Sequence, residues 1–440
     1  MGLTGYLRQV DGAVDATPPE RNRVVDSWRV FALLAVVYGH WLAASVWVEP
    51  DGTVTVLNTL EWIPYAEWAT WIIQVMPVFF FVGGYANAKA LDRRSTNRRS
   101  WLFLRFRRLF TPAVPVVLVW VVLVLILREF VSDDLIYAGT LNATLPLWFL
   151  AVYLALIAIA PFTYALWKRM GPMSVALFLG LALAVDVVNL GLEVPGVRWA
   201  NYAFVWAVVH QLGYWWAQRE ATGSAIRPLS GVALSAMSLG TLVLVTSIGW
   251  YPVAMITIPG GGPNNVTPPT AAVILLSLVQ IGIILATASR IRAWASRRRN
   301  WKPIVAISGF MMTIYVWHLT ALSLIIAVGV FTFDGVLLSL EPGTTWWWLT
   351  RPVWYLVLTG ATLLLVMAFG MFERSIRISE TDRPMPYVAV ALVLCVVALS
   401  GTAFVYLVNK DSTINWWIPA TTVIAASMVG AVPVVRRAPS

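Results

Sequence analysis

The sequence predicts an all-α, polytopic integral membrane protein of about twelve transmembrane helices. Hydrophobic residues make up 59% of its 440 residues and charged residues only 12%, and the mean hydropathy is +0.75. A soluble domain cannot bury that much apolar surface. The lengths of the apolar stretches and the placement of basic residues between them indicate the same class.

Twelve apolar stretches are long enough, or nearly so, to cross a bilayer. They cover approximately residues 28–48, 65–88, 109–127, 147–167, 173–191, 201–217, 229–250, 271–289, 304–328, 352–372, 387–408 and 415–434. Residues 1–24 precede them as a polar N-terminal tail without the apolar core of a signal peptide. The first membrane helix is therefore expected to direct insertion.

The basic residues fall almost entirely on one side of the predicted membrane. With the N-terminus in the cytoplasm, the inside segments contain all but four of the 31 Lys and Arg residues, the exceptions being Arg128, Arg198, Arg351 and Lys410. This asymmetry predicts a multi-pass protein of the inner (plasma) membrane with both termini cytoplasmic. It also accounts for the net charge of +10 without a nucleic-acid partner.

The first helix contains the strongest candidate for chemistry. Eleven helical steps from Arg29 to His40 make about three turns and rise roughly 16 Å, so both side chains share one face. Asp26 lies less closely on that face. If Arg29 lies at the membrane surface, His40 lies near the middle of a hydrocarbon core about 30 Å thick. An ionisable group at that depth is costly and by default indicates a functional site.

Further polar side chains fall inside apolar stretches, and these are His210, His318, Asp186, Gln74 and Gln280. A buried polar side chain often only bonds to a neighbouring helix. That interpretation is preferred for His210, whereas a functional role is equally plausible for His318, which has Tyr315 one turn before it. No metal site is predicted, because no two histidines are spaced i, i+4 and no HExxH motif occurs.

A second informative segment is basic. Between Arg93 and Arg108, seven arginines occur in sixteen residues, and the later part interleaves apolar with basic residues. Such a segment can lie in the membrane interface as an anchor that binds anionic lipid head groups. Alternatively, because arginines grip phosphates with bidentate geometry, a cofactor carrying several phosphates could dock there.

Five motifs, in this order along residues 23–318, resemble the landmarks of the acyltransferase family 3 membrane proteins. They are Asp26-x-x-Arg29 with His40 beyond it, Met76-Pro-Val-Phe-Phe-Phe-Val-Gly-Gly-Tyr85, Arg105-Phe-Arg-Arg108 before Pro112, Leu147-Trp-Phe-Leu150 and Ile314-Tyr-Val-Trp-His318. One departure is that the family's usual Ser-Gly after the Phe run is Gly83-Gly84 here, so no hydroxyl can be assigned at that position.

The resemblance implies a membrane O-acyltransferase, usually an acetyltransferase, that moves acyl groups from cytoplasmic acyl-CoA to hydroxyls of cell-envelope glycans or lipids. It implies a transmembrane acyltransferase core of about ten helices, at residues 25–372. Residues 373–440 would add two transmembrane helices and a short cytoplasmic tail. No permanently bound cofactor is expected, since acyl-CoA acts as a donor substrate. Membrane lipids are the other expected partners, and the oligomeric state is left open.

The same resemblance, together with the residue chemistry, gives each candidate site residue a role. His40 is the expected catalytic residue, either as general base or as a covalent acyl relay. The residues expected to bind the CoA phosphates are Arg29, Arg105, Arg107 and Arg108. The residues expected to support the site or contact substrate are Asp26, Tyr315, His318 and Trp148. A hydroxyl such as that of Tyr315 or Tyr38 is expected to fix the tautomer of His40.

Two other functions remain open at this point. A secondary transporter could use His40, Asp186 and His318 as a proton or substrate path, although the two halves show no corresponding pair of broken helices. A non-catalytic glycan- or lipid-binding scaffold could use the 24 tryptophans as stacking surfaces. Most of these tryptophans lie near predicted interfaces, where an aromatic belt explains them without a ligand.

Overall fold

The computed structural model is almost entirely helical. Its described residues are 3–49, 54–93, 97–192, 194, 196–224, 226–257, 264–332, 338–374 and 383–431, so Arg94 of the basic segment lies outside them. The first ten helices are α1 (Leu3–Asp15), α2 (Arg23–Ala43), α3 (Thr59–Trp62), α4 (Thr70–Ile73), α5 (Met76–Leu91), α6 (Arg98–Phe110), α7 (Val114–Leu127), α8 (Asp133–Thr144), α9 (Leu147–Met170) and α10 (Pro172–Leu192).

The remaining helices complete the chain. They are α11 (Asn201–Ala221), α12 (Pro228–Ser247), α13 (Ala271–Ser296), α14 (Arg298–Ser308), α15 (Met311–Thr332), α16 (Thr345–Phe369), α17 (Met371–Arg374), α18 (Met385–Ser400) and α19 (Trp417–Val429). Short 3₁₀ helices cover Pro64–Ala69 and Val197–Ala200, and a π-helical turn covers Gly401–Tyr406.

The helices confirm the predicted class of an all-α, multi-pass membrane protein. Among the described residues, nine helical segments are long and apolar enough to cross a membrane. The nine segments overlap nine of the predicted stretches, and helices α2, α11 and α19 overlap the first, sixth and last. Each of the twelve predicted stretches therefore overlaps at least one helix.

The first predicted stretch is wrong at its end. Helix α2 stops at Ala43, and Ala44–Val48 forms a strand, β1, that pairs antiparallel with β2 (Val54–Asn58). The register places Val46 opposite Val56. Both segments are rich in β-branched residues, which favour strands. A short apolar strand directly after an apolar helix looks like a continuation of that helix.

The ninth predicted stretch, 304–328, is also wrong at its beginning. It covers the end of α14, a break at Gly309, and most of α15. The predicted polar tail forms a helix as well. Helix α1 packs against α14, where the Tyr6 hydroxyl donates to the Ala306 carbonyl at 2.7 Å and Lys302 Nζ donates to Asp11 at 2.9 Å.

The chain divides into two compact units, and the first comprises Met1–Val36, Ile63–Thr96 and Ile159–Gly309. Within it, α5 and α11 pack closely because glycines face the neighbouring backbone. A Cβ at Gly84 would overlap the His210 carbonyl oxygen, and one at Gly213 would overlap the Phe81 carbonyl oxygen. Small residues allow this close approach between membrane helices.

A buried carboxylate anchors another helix of the first unit. One oxygen of Asp186 accepts hydrogen bonds from the Tyr251 hydroxyl at 2.8 Å and from the backbone N–H of Ala271 at 2.7 Å. The other accepts from Asn201 Nδ2 at 2.8 Å. Since Ala271 is the first residue of α13, Asp186 holds the N-terminus of that helix, which is favourable for a carboxylate.

The second unit comprises Val37–Trp62, Asn97–Ala158 and Phe310–Ser440. Helix α15 packs against α8 and α16, and two side-chain hydrogen bonds hold it in place. Asn142 Nδ2 donates to Ser323 at 3.1 Å, and Trp120 Nε1 donates to Thr320 at 3.0 Å. Helix α6 packs against both α18 and α19, and α7 packs against α19.

Candidate active site

Helix α2 carries three of the predicted site residues on one continuous element. Asn22 caps its N-terminus, because the Asn22 side-chain oxygen accepts hydrogen bonds from the backbone N–H groups of Val24 at 3.0 Å and Val25 at 3.3 Å. Asparagine is among the best N-cap residues. From this fixed start, α2 places His40 in its last turn, where the residue is half-buried.

Helix α15 presents the second histidine, and a half-buried carboxylate holds its N-terminus. Glu373 accepts hydrogen bonds from the backbone N–H of Met312 at 3.2 Å and of Thr313 at 2.8 Å, and from the Thr313 hydroxyl at 2.8 Å. Burial raises the pKa of Glu373, while these bonds and the nearby Arg108 oppose the rise. Sequence reasoning missed this contact, because no pattern joins residues 312 and 373.

His40 and His318 form a direct pair within the second unit. His40 Nδ1 lies 2.8 Å from His318 Nε2, and the two ring planes differ by only 5°. His318 is fully buried. The Trp41 indole N–H donates to the His318 carbonyl at 3.0 Å, which ties the end of α2 to α15 beside the pair.

The hydrogen bonds of the pair define which nitrogens carry hydrogen. His318 Nδ1 lies 2.6 Å from the Tyr315 carbonyl oxygen, which can only accept, so this nitrogen carries the hydrogen. In the neutral ring His318 Nε2 is then an acceptor, and His40 Nδ1 must donate to it. His40 Nε2 is therefore left with its lone pair, and no described residue donates to it.

Tyr315 and Trp148 support this arrangement in different ways. The Tyr315 hydroxyl donates to the Pro146 carbonyl at 2.9 Å, just before α9 begins. Its ring packs edge-on against Phe149, which in turn contacts Trp148. The Tyr38 hydroxyl pairs with Thr359 instead. The expectation that either hydroxyl fixes the His40 tautomer is therefore wrong, because His318 does so.

Helix α6 carries the three predicted donor-site arginines, and their environments differ. Arg105 lies over the Trp101 ring at 5.8 Å, and Arg108 is exposed. Arg107 lies on another side of the helix, about 3.8 Å from where a Cβ on Gly430 would be, at the end of α19. Its Nε is buried and has no hydrogen-bond partner among the described residues. Arg105 and Arg108 share one helix face.

Asp26 and Arg29 belong to the first unit. Arg21 Nε lies 2.6 Å from one Asp26 oxygen, and Arg29 lies 3.6 Å from the other. These ion pairs are partly exposed, so each is expected to contribute little to stability. The predicted contact of Arg29 with a donor phosphate stays a prediction.

His210 is also in the first unit, where it has a different partner. Its Nε2 pairs with the Asn87 amide at 3.0 Å, and its ring packs edge-on against Tyr214. In the part of the chain that the structure describes, no group of three His, Cys, Asp or Glu side chains is placed to hold a metal ion.

In a comparison with protein-family models, residues 22–371 match the Acyl_transf_3 family, described as an acyltransferase domain. The matched range contains His40, His318 and the three predicted donor-site arginines of α6. It ends before α18. Neither the comparison with curated proteins nor that with solved structures found a match.

Proposed function

The chain belongs to acyltransferase family 3 and is a membrane acyltransferase, and we propose that it acylates a hydroxyl of a cell-envelope glycan or glycolipid. The donor is cytoplasmic acyl-CoA, most simply acetyl-CoA. The protein lies in the inner (plasma) membrane with both termini in the cytoplasm, as the distribution of basic residues supports. Residues 25–372 form the acyltransferase core.

The observation that carries the proposed chemistry is the bare Nε2 of His40. An acceptor hydroxyl donates its hydrogen bond to this nitrogen, which takes the proton as the oxygen attacks the thioester carbonyl. The new C–O bond forms, the C–S bond breaks, and the proton passes from His40 to the departing CoA sulfur. Positioned general-base catalysis of this kind typically contributes about 10² to 10⁴ in rate.

His318 acts on His40 rather than on the substrate. When His40 takes a proton at Nε2, its ring becomes positively charged while Nδ1–H continues to donate to His318 Nε2. A hydrogen bond to the charged form stabilises it. The Tyr315 carbonyl and the Trp41 indole fix His318 in turn. His318 is thus a positioning residue.

An acyl relay through the same nitrogen is the second form of the mechanism. His40 Nε2 attacks the thioester carbonyl and CoA leaves as the thiolate, so that an acyl-imidazolium forms on His40. The acceptor hydroxyl oxygen then attacks the acyl carbon, the bond from that carbon to His40 Nε2 breaks, and the hydroxyl proton neutralises the CoA thiolate. The protein returns to its starting state. Both forms need His40 Nε2 to be free at the start.

The CoA phosphates bind to the basic helix α6 in this proposal. Arg105 and Arg108 present two guanidinium groups on one face, and arginine matches phosphate geometry. Arg107 completes the set from the side of α19. No permanently bound cofactor is involved.

A transporter is not favoured by the contacts of Asp186. The transporter hypothesis used Asp186 as part of a proton path, yet the carboxylate accepts three hydrogen bonds and anchors the start of α13. That role accounts for a buried carboxylate without transport.

The proposal is tested with purified protein in detergent by following CoA release from acetyl-CoA and examining the protein by mass spectrometry. His40→Ala is expected to abolish CoA release while the protein stays folded. An acetyl group on the His40 peptide after mixing with acetyl-CoA alone would establish the relay. Acceptor-dependent CoA release without such labelling would establish direct transfer. CoA release that is unchanged in His40→Ala would contradict the proposal.

A further inference from the structure

Arg351 is one of the four basic residues that the predicted topology places on the outer side of the membrane, and the mechanism above does not use it. It lies near the start of α16, whose first turn Thr344 caps through a hydrogen bond from the Trp347 N–H. Its guanidinium lies 4.1 Å from the centre of the Trp347 ring and 5.4 Å from that of Trp354. Arg351 Nε donates to the Trp347 carbonyl at 3.2 Å.

This arginine lies in a narrow cleft of the second unit. The residues that line the cleft are Ala44, Val46, Ile326, Leu338, Leu340, Trp347, Arg351 and Trp354. Its open volume is about 10 Å³, which is the space of one water-sized group. The cleft therefore admits about one oxygen atom of a larger molecule, and the rest of that molecule lies outside it.

The cleft lies along the helices that carry the histidine pair. Ala44 directly follows α2, four residues after His40, and Ile326 lies eight residues after His318 on α15. The first separation corresponds to about one helical turn, and the second to a rise of roughly 12 Å along α15. Helix α16 also contacts α2 directly, since Tyr355 packs edge-on against Tyr38 at 5.3 Å.

The hydrogen-bonding groups on the cleft's side chains are all donors. The lining side chains are aliphatic apart from one guanidinium and two indoles, which offer N–H groups and no acceptor. Trp354 Nε1 is buried and has no hydrogen-bond partner among the described residues. Within the same residues, no carboxylate makes an ion pair with Arg351.

A half-buried cation that makes no ion pair with any described residue is costly near the end of a membrane helix. Stacking of the guanidinium on Trp347 offsets part of that cost, by about 0.5–2 kcal/mol for cation–π contacts in general. An aromatic belt explains tryptophans at an interface, but it does not explain a guanidinium held between two of them. The arrangement is typical of a site for an anionic group.

We propose that the Arg351 cleft binds an anionic group of the acyl acceptor, a carboxylate or a phosphate. The acceptor is then an acidic sugar or a sugar phosphate whose hydroxyl reaches His40. This inference rests on the acyltransferase function proposed above and adds the class of its acceptor. Guanidinium and indole N–H groups together orient the acceptor oxygens.

The test measures binding to the purified, full-length protein by calorimetry, with three probes. Methyl glucuronide carries a carboxylate, glucose 1-phosphate carries a phosphate, and methyl glucoside is neutral. At least one anionic probe is expected to bind about tenfold to a hundredfold more tightly than the neutral one, as for hydrogen bonds to charged groups. The probe that binds more tightly identifies the source of the charge.

Variants assign this preference to the cleft. Arg351→Gln is expected to remove the preference for the anionic probe, while Arg128→Gln, which removes an exposed outer arginine, leaves it unchanged. Arg351→Lys keeps the charge but loses the planar fork, so it should retain only part of the preference. If Arg351→Gln fails to fold, Arg351→Lys decides the question.

Equal binding of all three probes, or a preference that survives both Arg351 substitutions, would overturn the proposal. The CoA-release assay is measured separately on the same protein. If the wild-type protein releases CoA normally but shows no preference for an anionic probe, only the proposed role of the cleft is rejected. If the wild-type protein shows neither CoA release nor a preference for an anionic probe, the acyltransferase mechanism is rejected as well.

Discussion

His210 in the first unit and the His40–His318 pair in the second are alike in sequence but differ in surroundings. All three rings lie in apolar helices. His210 pairs with a neutral amide and its backbone packs directly against Gly84. His40 instead pairs with a second histidine whose other nitrogen is committed to a backbone carbonyl.

In the proposed mechanism, this difference separates a histidine that only packs from one that reacts. A buried imidazole can satisfy a helix contact with one nitrogen. Chemistry requires a lone pair that faces substrate and a partner that stabilises the charge appearing on the ring. In the proposed mechanism His40 meets both conditions, because no described residue donates a hydrogen bond to its Nε2 and His318 accepts from its Nδ1.

Matched glutamine substitutions should separate the two kinds of histidine most strongly. His40→Gln is expected to lower the turnover of acetyl-CoA by about 10² to 10⁴, because the general base is lost. His210→Gln keeps an amide that can bond to Asn87 and should change turnover by less than a few fold. Steady-state CoA release from both variants measures this difference. Equal losses of turnover in the two variants would contradict it.

The second largest effect concerns the partner of His40. His318→Leu leaves His40 Nδ1–H without an acceptor and allows the ring to turn, which should lower kcat by roughly 10². The KM for acetyl-CoA should stay nearly constant. His318→Gln still offers an oxygen to His40 and should recover part of the activity. If leucine and glutamine were equivalent, His318 would have only a packing role.

Packing around His210 should respond to a single methyl group. Gly84→Ala places a Cβ on the His210 carbonyl oxygen, and such overpacking typically costs about 1–3 kcal/mol. Gly180→Ala is the matched control, since a Cβ added at Gly180 would meet nothing within 4 Å. Melting temperatures in detergent should fall for Gly84→Ala and not for Gly180→Ala. A fall of the same size in both would contradict the close contact between α5 and α11.

The smallest expected effect is that of a surface ion pair in the first unit. Asp92 accepts hydrogen bonds from Lys168 at 3.1 Å and from Tyr164 at 3.0 Å. Both bonds lower the pKa of Asp92, and the bond from Lys168 has the larger effect. The ionised Asp92 therefore contributes to the free energy of unfolding above its unfolded pKa near 3.9. This contribution is lost as the pH falls through the lower pKa of the folded state.

Asp92→Asn should accordingly lower the melting temperature slightly at pH 7. A mostly exposed pair of this kind contributes at most about 1 kcal/mol. The difference from the wild type should shrink at pH 3, and acetyl-CoA turnover should not change. If the difference in melting temperature grew on acidification, the predicted direction of the pH dependence would be wrong.

Composition and hydropathy could predict the helical membrane fold, because crossing a bilayer demands long apolar segments that are visible in the sequence. The hairpin after α2 could not be predicted, since its strands are five residues long and the first continues an apolar run. The start of α15 was also missed, because a polar helix, α14, joins the apolar one across Gly309.

The candidate site was predictable only one residue at a time. Depth in the helix pointed to His40, and motif order pointed to His318, yet nothing in their 278-residue separation shows that the rings touch. The same holds for Glu373, whose hydrogen bonds to the start of α15 depend on tertiary packing. In the sequence, Arg351 was notable only because the predicted topology places this basic residue on the outer side of the membrane.

Helices α18 and α19 begin beyond residue 371, where the family match ends, and yet α6 packs against both. A boundary drawn from family membership thus differs from the boundary of stable folding. A shortened chain ending at residue 371 would expose one side of the basic helix to lipid and release the buried part of Arg107. Evolutionary loss or exchange of these two helices is therefore expected only together with changes in α6.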